Sequence, residues 1–248
     1  MPKSAESATL TQTRVDLCCA LRSAQRLGLN EGVCNHFSVT VPGNPDHFLI
    51  NPQGFHWSEI TPADLMLVDR DGKIIAGKHS VEPTAFFIHY RIHRGSQKNC
   101  VLHTHMPYAT ALSICDRGRL SFANQNAMRF FGRVAYDDDY QGVALSDAEG
   151  DRMCSALGQA DVLFLASHGV IVCGESVAWA FDDLYYLERS CLVQVLAEST
   201  GRKLREVPEP LLAATAAAIA GERQQSDLHF DALRRVLDRE EPGWRHLV

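Results

Sequence analysis

A chain of 248 residues with 46% apolar side chains holds enough nonpolar surface to bury a sizeable core without disulfide staples. Its net charge of -6 and pI near 6.0 exclude the clustered basic surface that nucleic acid or an anionic membrane would require. Eight cysteines with no Cys-x-x-Cys pair read as reduced core thiols, and with no apolar leader or membrane-length run the expected location is cytoplasmic.

Residues 1–9 read as a loose tail. Val15, Leu17, Cys18, Leu21, Ala24 and Leu27 then recur at helical spacing until Gly28 stops them. Two strands, 37–41 and 48–51, flank a Pro-Gly-Asn-Pro turn. Thr61-Pro62 signals a short helix, followed by strands at 65–68 and around Ile74 on either side of Asp71-Gly72. Ser80 is the expected cap of a helix running from Val81 to about Arg94, with Glu82 in its first turn. Short helices are expected at 109–115 and 125–131, a strand at 134–136, and a Ser146-capped helix ending near Gly158. Strands at 162–166 and 170–172 precede a long amphipathic helix from Ser176 to about Glu198. Two more helical patterns follow Gly201, in a C-terminal extension (201–248) able to dock on a neighbouring subunit. No linker or repeat divides the chain, so one α/β layered domain over 1–248 is expected.

The most informative segment is Asn-Cys-Val-Leu-His-Thr-His, ending in His103 and His105. On a strand, residues i and i+2 share a face roughly 6 to 7 Å apart, so both rings can turn onto one ion. His168, before Gly169, closes another apolar run and supplies a third imidazole. Three ring nitrogens leave positions open for a carboxylate, water or substrate, as catalytic centres do. On spacing alone, ordinary strand-end histidines remain an equal alternative. His89 and His93 form a rival pair at i, i+4, read as a partly exposed helix face beside Arg91 and Arg94. His36, His47, His56 and His79 read as loop or packing residues.

Four segments together carry a resemblance: Gly-Val-Cys-Asn-His-Phe-Ser (32–38), Asn-Pro-Gln-Gly (51–54), Ser80 to Glu82 with His103-Thr-His105, and Ser167-His168-Gly169 leading into the long helix. In that order, over roughly residues 12 to 200, the chain resembles the class II aldolase/adducin family, and its long helix resembles the adducin-like bacterial branch. The resemblance implies a three-layer α/β/α domain on a mixed central sheet, usually a homotetramer with active sites near subunit boundaries. It also implies one divalent ion per subunit, most often zinc, with manganese or iron as alternatives. His103, His105 and His168 match its histidine ligands. Glu82 matches an acidic residue that ligates the metal at rest and serves as acid/base in turnover.

Asn35, Gly54 and Ser80 match the substrate-binding positions of sugar-phosphate aldolases in the family, but Gln53 and Val81 stand where hydroxyls are typical. Each missing donor to an anion removes about 1.5 to 3 kcal/mol, so a phosphorylated substrate is disfavoured. Tyr140 is the expected counterpart of a family tyrosine that protonates the leaving oxygen. Arg129 and Arg133 read equally as a carboxylate clamp or as surface and intersubunit ion pairs. The expected activity is a metal-dependent carbon-carbon lyase, running aldol cleavage or decarboxylation through an enolate-like species on a small hydroxy, keto or aromatic acid. The alternatives are an adducin-like scaffold without chemistry, and a dehydratase or iron oxygenase on the same cradle.

Overall fold

The structure, a computed structural model, describes residues 3–96, 98–142 and 146–247. Helix α1 (Lys3–Arg26) leads into the hairpin β1 (His36–Val41) and β2 (Asn44–Ile50), then β3 (Met66–Asp69), β4 (Ile74–Ala76), α2 (Pro83–Ser96) and β5 (Cys100–Thr104). Next come α3 (Pro107–Ser113), α4 (Gln125–Met128), β6 (Val134–Asp137), α5 (Asp147–Leu157), β7 (Val162–Leu165) and β8 (Gly169–Gly174). Helices α6 (Val177–Glu198), α7 (Glu209–Ala220) and α8 (Gln224–Glu240) complete the chain.

Among the described residues the strands form one mixed sheet of eight, ordered β4-β3-β2-β1-β5-β8-β7-β6, antiparallel except for the β6/β7 pair. Alternation along each strand builds the three layers. Phe37 and Val39 of β1, Leu102 of β5 and Val172 of β8 pack with Leu17 and Leu21 of α1 and Phe181 and Leu184 of α6. From the other face, Val101, Leu163 and Ile171 meet Ile88 and Ile92 of α2 and Met153 and Leu157 of α5. His36 and Ser38 of β1 and His103 of β5 share the parity of Val101, so they project toward α2. No helix among the described residues is long and apolar enough to cross a membrane.

Several elements differ from their sequence expectations. Residues 3–9 are the opening turns of α1, not a tail, since no glycine or proline interrupts the helix before Gly28. Helix α2 starts at Pro83, two residues later than expected, because proline disfavours helical geometry at Glu82 and is itself suited to a first turn. Residues 61–64 close as a turn, with Asp64 Oδ2 accepting from both the amide and hydroxyl of Thr61. Helix α8 packs on its own chain: Phe230 and Leu237, with Trp244 just beyond the helix, join the core containing α1 and α6. Cys34 and Cys115 are exposed, so these two thiols are not core residues.

Candidate metal centre

His103 is buried where β5 crosses the centre of the sheet, and its Nδ1 donates to the Val170 carbonyl oxygen at 3.0 Å. A carbonyl can only accept, so this contact fixes the tautomer and leaves Nε2 as a lone pair. One residue beyond the strand, His105 Nδ1 donates to Glu31 Oε2 at 2.5 Å, and its Nε2 is buried with no protein partner. His168 sits in the tight turn between β7 and β8, held by a backbone bond to Leu165 and preceded by Ser167 in a left-handed conformation at φ 55°. Gly169 is required by proximity: a Cβ there would lie 2.5 Å from the Thr104 oxygen and 2.9 Å from His105 Cδ2.

These backbone devices bring three sequence-distant rings together. Their centroids lie 5.1, 4.8 and 4.8 Å apart, each pair steeply inclined, and one ring nitrogen from each falls within 4.8 Å of the others. Burial, then the neighbouring histidines, pushes His103 well below the usual imidazole range and His168 down to about 4. Imidazole must be neutral to ligate, so His103 and His168 present their nitrogens in ligand form at neutral pH. The donor set fits a borderline divalent ion: three imidazole nitrogens, two with anchored N–H groups, and an orphaned buried Nε2 on His105.

Glu82 lies on the wall of the same cavity, just before α2, but its carboxylate is outside the three-histidine cluster. Oε2 accepts from His36 Nε2 at 2.7 Å and Oε1 from the Thr84 hydroxyl at 2.9 Å. The His36 contact, against the opposing effect of burial, holds the carboxyl down at about 2. Each Glu82 oxygen accepts one hydrogen bond and keeps a second lone pair on the cavity side of the site.

Asn35 and Tyr140 line this cavity too, the tyrosine half exposed. Asn35 is buried at φ 76°; its Oδ1 accepts from the amides of Glu31 and His105, and its Nδ2 has no protein partner. Gly54 and Ser80 do not line the cavity; the loops that carry them pair through Gln53, whose Oε1 accepts the Ser80 hydroxyl at 3.1 Å. Ser80 also caps no helix, since α2 begins beyond it.

Arg129 and Arg133 do not line this cavity, and both are engaged in ion pairs within the chain. Arg129 pairs with Asp182 at 2.9 Å, and Arg133 with Asp161 and Asp183 at 2.7 Å each. His89 and His93 are buried, not exposed, and both contact Ser38 Oγ, at 2.6 and 2.7 Å. Sequence reasoning missed Glu31, His36 and Thr84. His36 stood inside the quoted Asn-His-Phe-Ser motif, and its strand pairing opposite His103 was the signal that a hairpin reading alone does not give.

Comparison with known proteins agrees with this geometry. The Class II Aldolase and Adducin N-terminal domain matches residues 15–195. A Pseudomonas aeruginosa protein whose name places it in aldolase class 2 is 36% identical, over 96% of this chain and 94% of that one. The decarboxylase NovR of Streptomyces niveus is 33% identical over 88% of this chain and 83% of its own length. The crystal structure of an aldolase II superfamily protein from Pseudomonas syringae superimposes with a TM-score of 0.89 at 34% identity, covering 96% of each chain. The chain belongs to the class II aldolase/adducin family.

Proposed function

We propose that this protein is a divalent-metal-dependent carbon-carbon lyase acting on a small, unphosphorylated hydroxy, keto or aromatic acid, by aldol cleavage or decarboxylation. The observation that carries the reading is the convergence of His103, His105 and His168, with anchored N–H groups on two rings, beside the ionised Glu82 in one cavity. A bound divalent ion, zinc first and manganese or iron as alternatives, would supply Lewis-acid stabilisation of negative charge developing on substrate oxygens. The three histidines hold it; Glu82 takes or returns the proton, and Tyr140 at the cavity wall serves as the second acid. Asn35 supplies an uncommitted amide donor toward a substrate oxygen.

The Ser80 hydroxyl is engaged by Gln53, away from the cavity, which supports the unphosphorylated class. Likeness to the decarboxylase NovR supports including carboxylate loss among the reactions tested. We further place the protein in the cytoplasm as a homotetramer with its sites near subunit boundaries, and take 1–248 as one domain. Metal-loaded protein assayed against hydroxy, keto and aromatic acids, with phosphorylated sugars as controls, tests the reading. Turnover of an unphosphorylated acid is expected to fall 100-fold or more in Glu82→Gln, about the worth of a general acid-base group. Equal turnover in that variant would remove the role assigned to Glu82, and no turnover of any acid by metal-loaded wild type would support a scaffold without chemistry.

A further inference from the structure

We propose that Glu188 positions two of the three clustered histidines by clamping α3, a short strut that runs from His105 to the turn carrying His168. The inference rests on the three-histidine metal centre proposed above and adds a residue outside its cavity. Helix α3 starts at Pro107, two residues after His105, and no side chain at its own N-terminus caps it. Its first free amides are met from α6 instead: Tyr108 donates to Glu188 Oε1 at 2.8 Å and Ala109 to Oε2 at 2.9 Å. Glu188 is 6% exposed, and burying a carboxylate is costly unless its oxygens are hydrogen-bonded. Two charge-assisted bonds at the positive end of a helix supply that compensation.

The other end of α3 reaches the segment of His168. The carbonyl oxygen of Ser113, its last residue, accepts from the Ser167 amide at 3.1 Å. Ser167 stands directly before His168 at φ 55°, a left-handed conformation that a residue other than glycine keeps only where its surroundings hold it. Seven residues at a rise of about 1.5 Å make a stiff spacer roughly 10 Å long between the two histidine-bearing segments. Ala109 and Leu112 seat its inner face in the core beside α6, but apolar contact has no direction along the helix axis. The paired bonds to Glu188 do, so they set where along α6 the spacer, and with it both rings, comes to rest.

Amide hydrogen exchange and cobalt(II) binding test the strut together. Glu188→Gln offers one acceptor where two amides need one each, so faster exchange is expected at Tyr108, at Ala109 and, across the strut, at Ser167. A cap of only local consequence would leave Ser167 exchange unchanged, and that result would overturn the proposal. Cobalt(II) is expected to bind about tenfold or more weakly in the variant by chelator competition, with shifted visible bands, as for other residues that orient metal ligands. Leu237→Val, which loosens the same core from α8, should lower the Tm and leave cobalt affinity and bands as in wild type. Equal cobalt affinity in Glu188→Gln and wild type, or an equal loss in Leu237→Val, would also overturn it. If Glu188→Gln does not fold, wild type decides: cobalt loading should slow exchange at Tyr108, Ala109 and Ser167 by a common factor, and unequal factors would contradict the strut. Wild type that takes up no cobalt would instead defeat the metal-centre reading, while Ser167 exchange in the metal-free proteins would still report on α3.

Discussion

At the scale of single residues, the proposed centre depends on neighbours that orient two of its three imidazoles. Glu31 lies well outside the three-histidine motif, yet its carboxylate orients His105 through a 2.5 Å contact. Carboxylate partners of this kind fix the ring and raise its basicity, and their loss costs about 10- to 100-fold in metal affinity. Glu31→Gln is therefore expected to weaken binding by that factor in a chelator competition assay, with the fold intact by circular dichroism. Equal affinity in the two proteins would show that Glu31 is only a surface neighbour of His105. The shared face of His103 and His105 was legible from spacing because a strand's period of two is local information, while His168 was joined to them by the family resemblance. Glu31 and His36 were not legible, because they reach the site through loop closure at Asn35 and through β1/β5 pairing, which join residues about 70 positions apart.

At the scale of elements, α2 is bound to the sheet by a polar seam as well as by Ile88 and Ile92. His89 and His93 contact Ser38 of β1 within it, and burial lowers both rings, His93 to about 4. A histidine kept neutral in the fold but free to protonate near pH 6.5 when unfolded makes the unfolded chain the stronger proton binder between those values. Stability is therefore complete above about pH 6.5 and declines as pH falls toward 4, with His93 alone withdrawing about 3 kcal/mol across the window. Urea midpoints measured in metal-free protein at pH 7 and pH 5 are expected to show the decline, and His93→Gln, which takes up no proton, should reduce it. A slope unchanged by that substitution would contradict the account. The i, i+4 spacing of these histidines was plain in the sequence, but the facing strand that buries them was not.

At the scale of the whole molecule, the three histidines gather at the end of β5 and the β7/β8 turn, while a separate ionic network ties the outer helices together. Asp183 of α6 is buried and receives Arg133 and Arg223, while Asp182 receives Arg129, Ser226 and His229. Paired and hydrogen-bonded on several sides, these carboxylates link the approach to β6, helix α6 and helix α8, and removing a partner would strand buried charge. Most elements were legible because hydrophobic period and capping residues such as Ser146 and Ser176 are local signals, and both serines do cap, while the three-layer order came from the family resemblance. Docking of the C-terminal helix was not legible, because an amphipathic stripe on α8 states that a face is buried without saying against which chain. Likewise the acidic pair in α6 resembles a solvated face until the arginines that reach it are placed.

The centre itself is tested most directly by elemental analysis of protein purified without added metal from metal-replete cells, wild type beside His103→Ala. About one equivalent of a divalent ion per chain in wild type, lost in the variant, is the result predicted. Wild type without stoichiometric metal, or a variant that keeps as much, would contradict it.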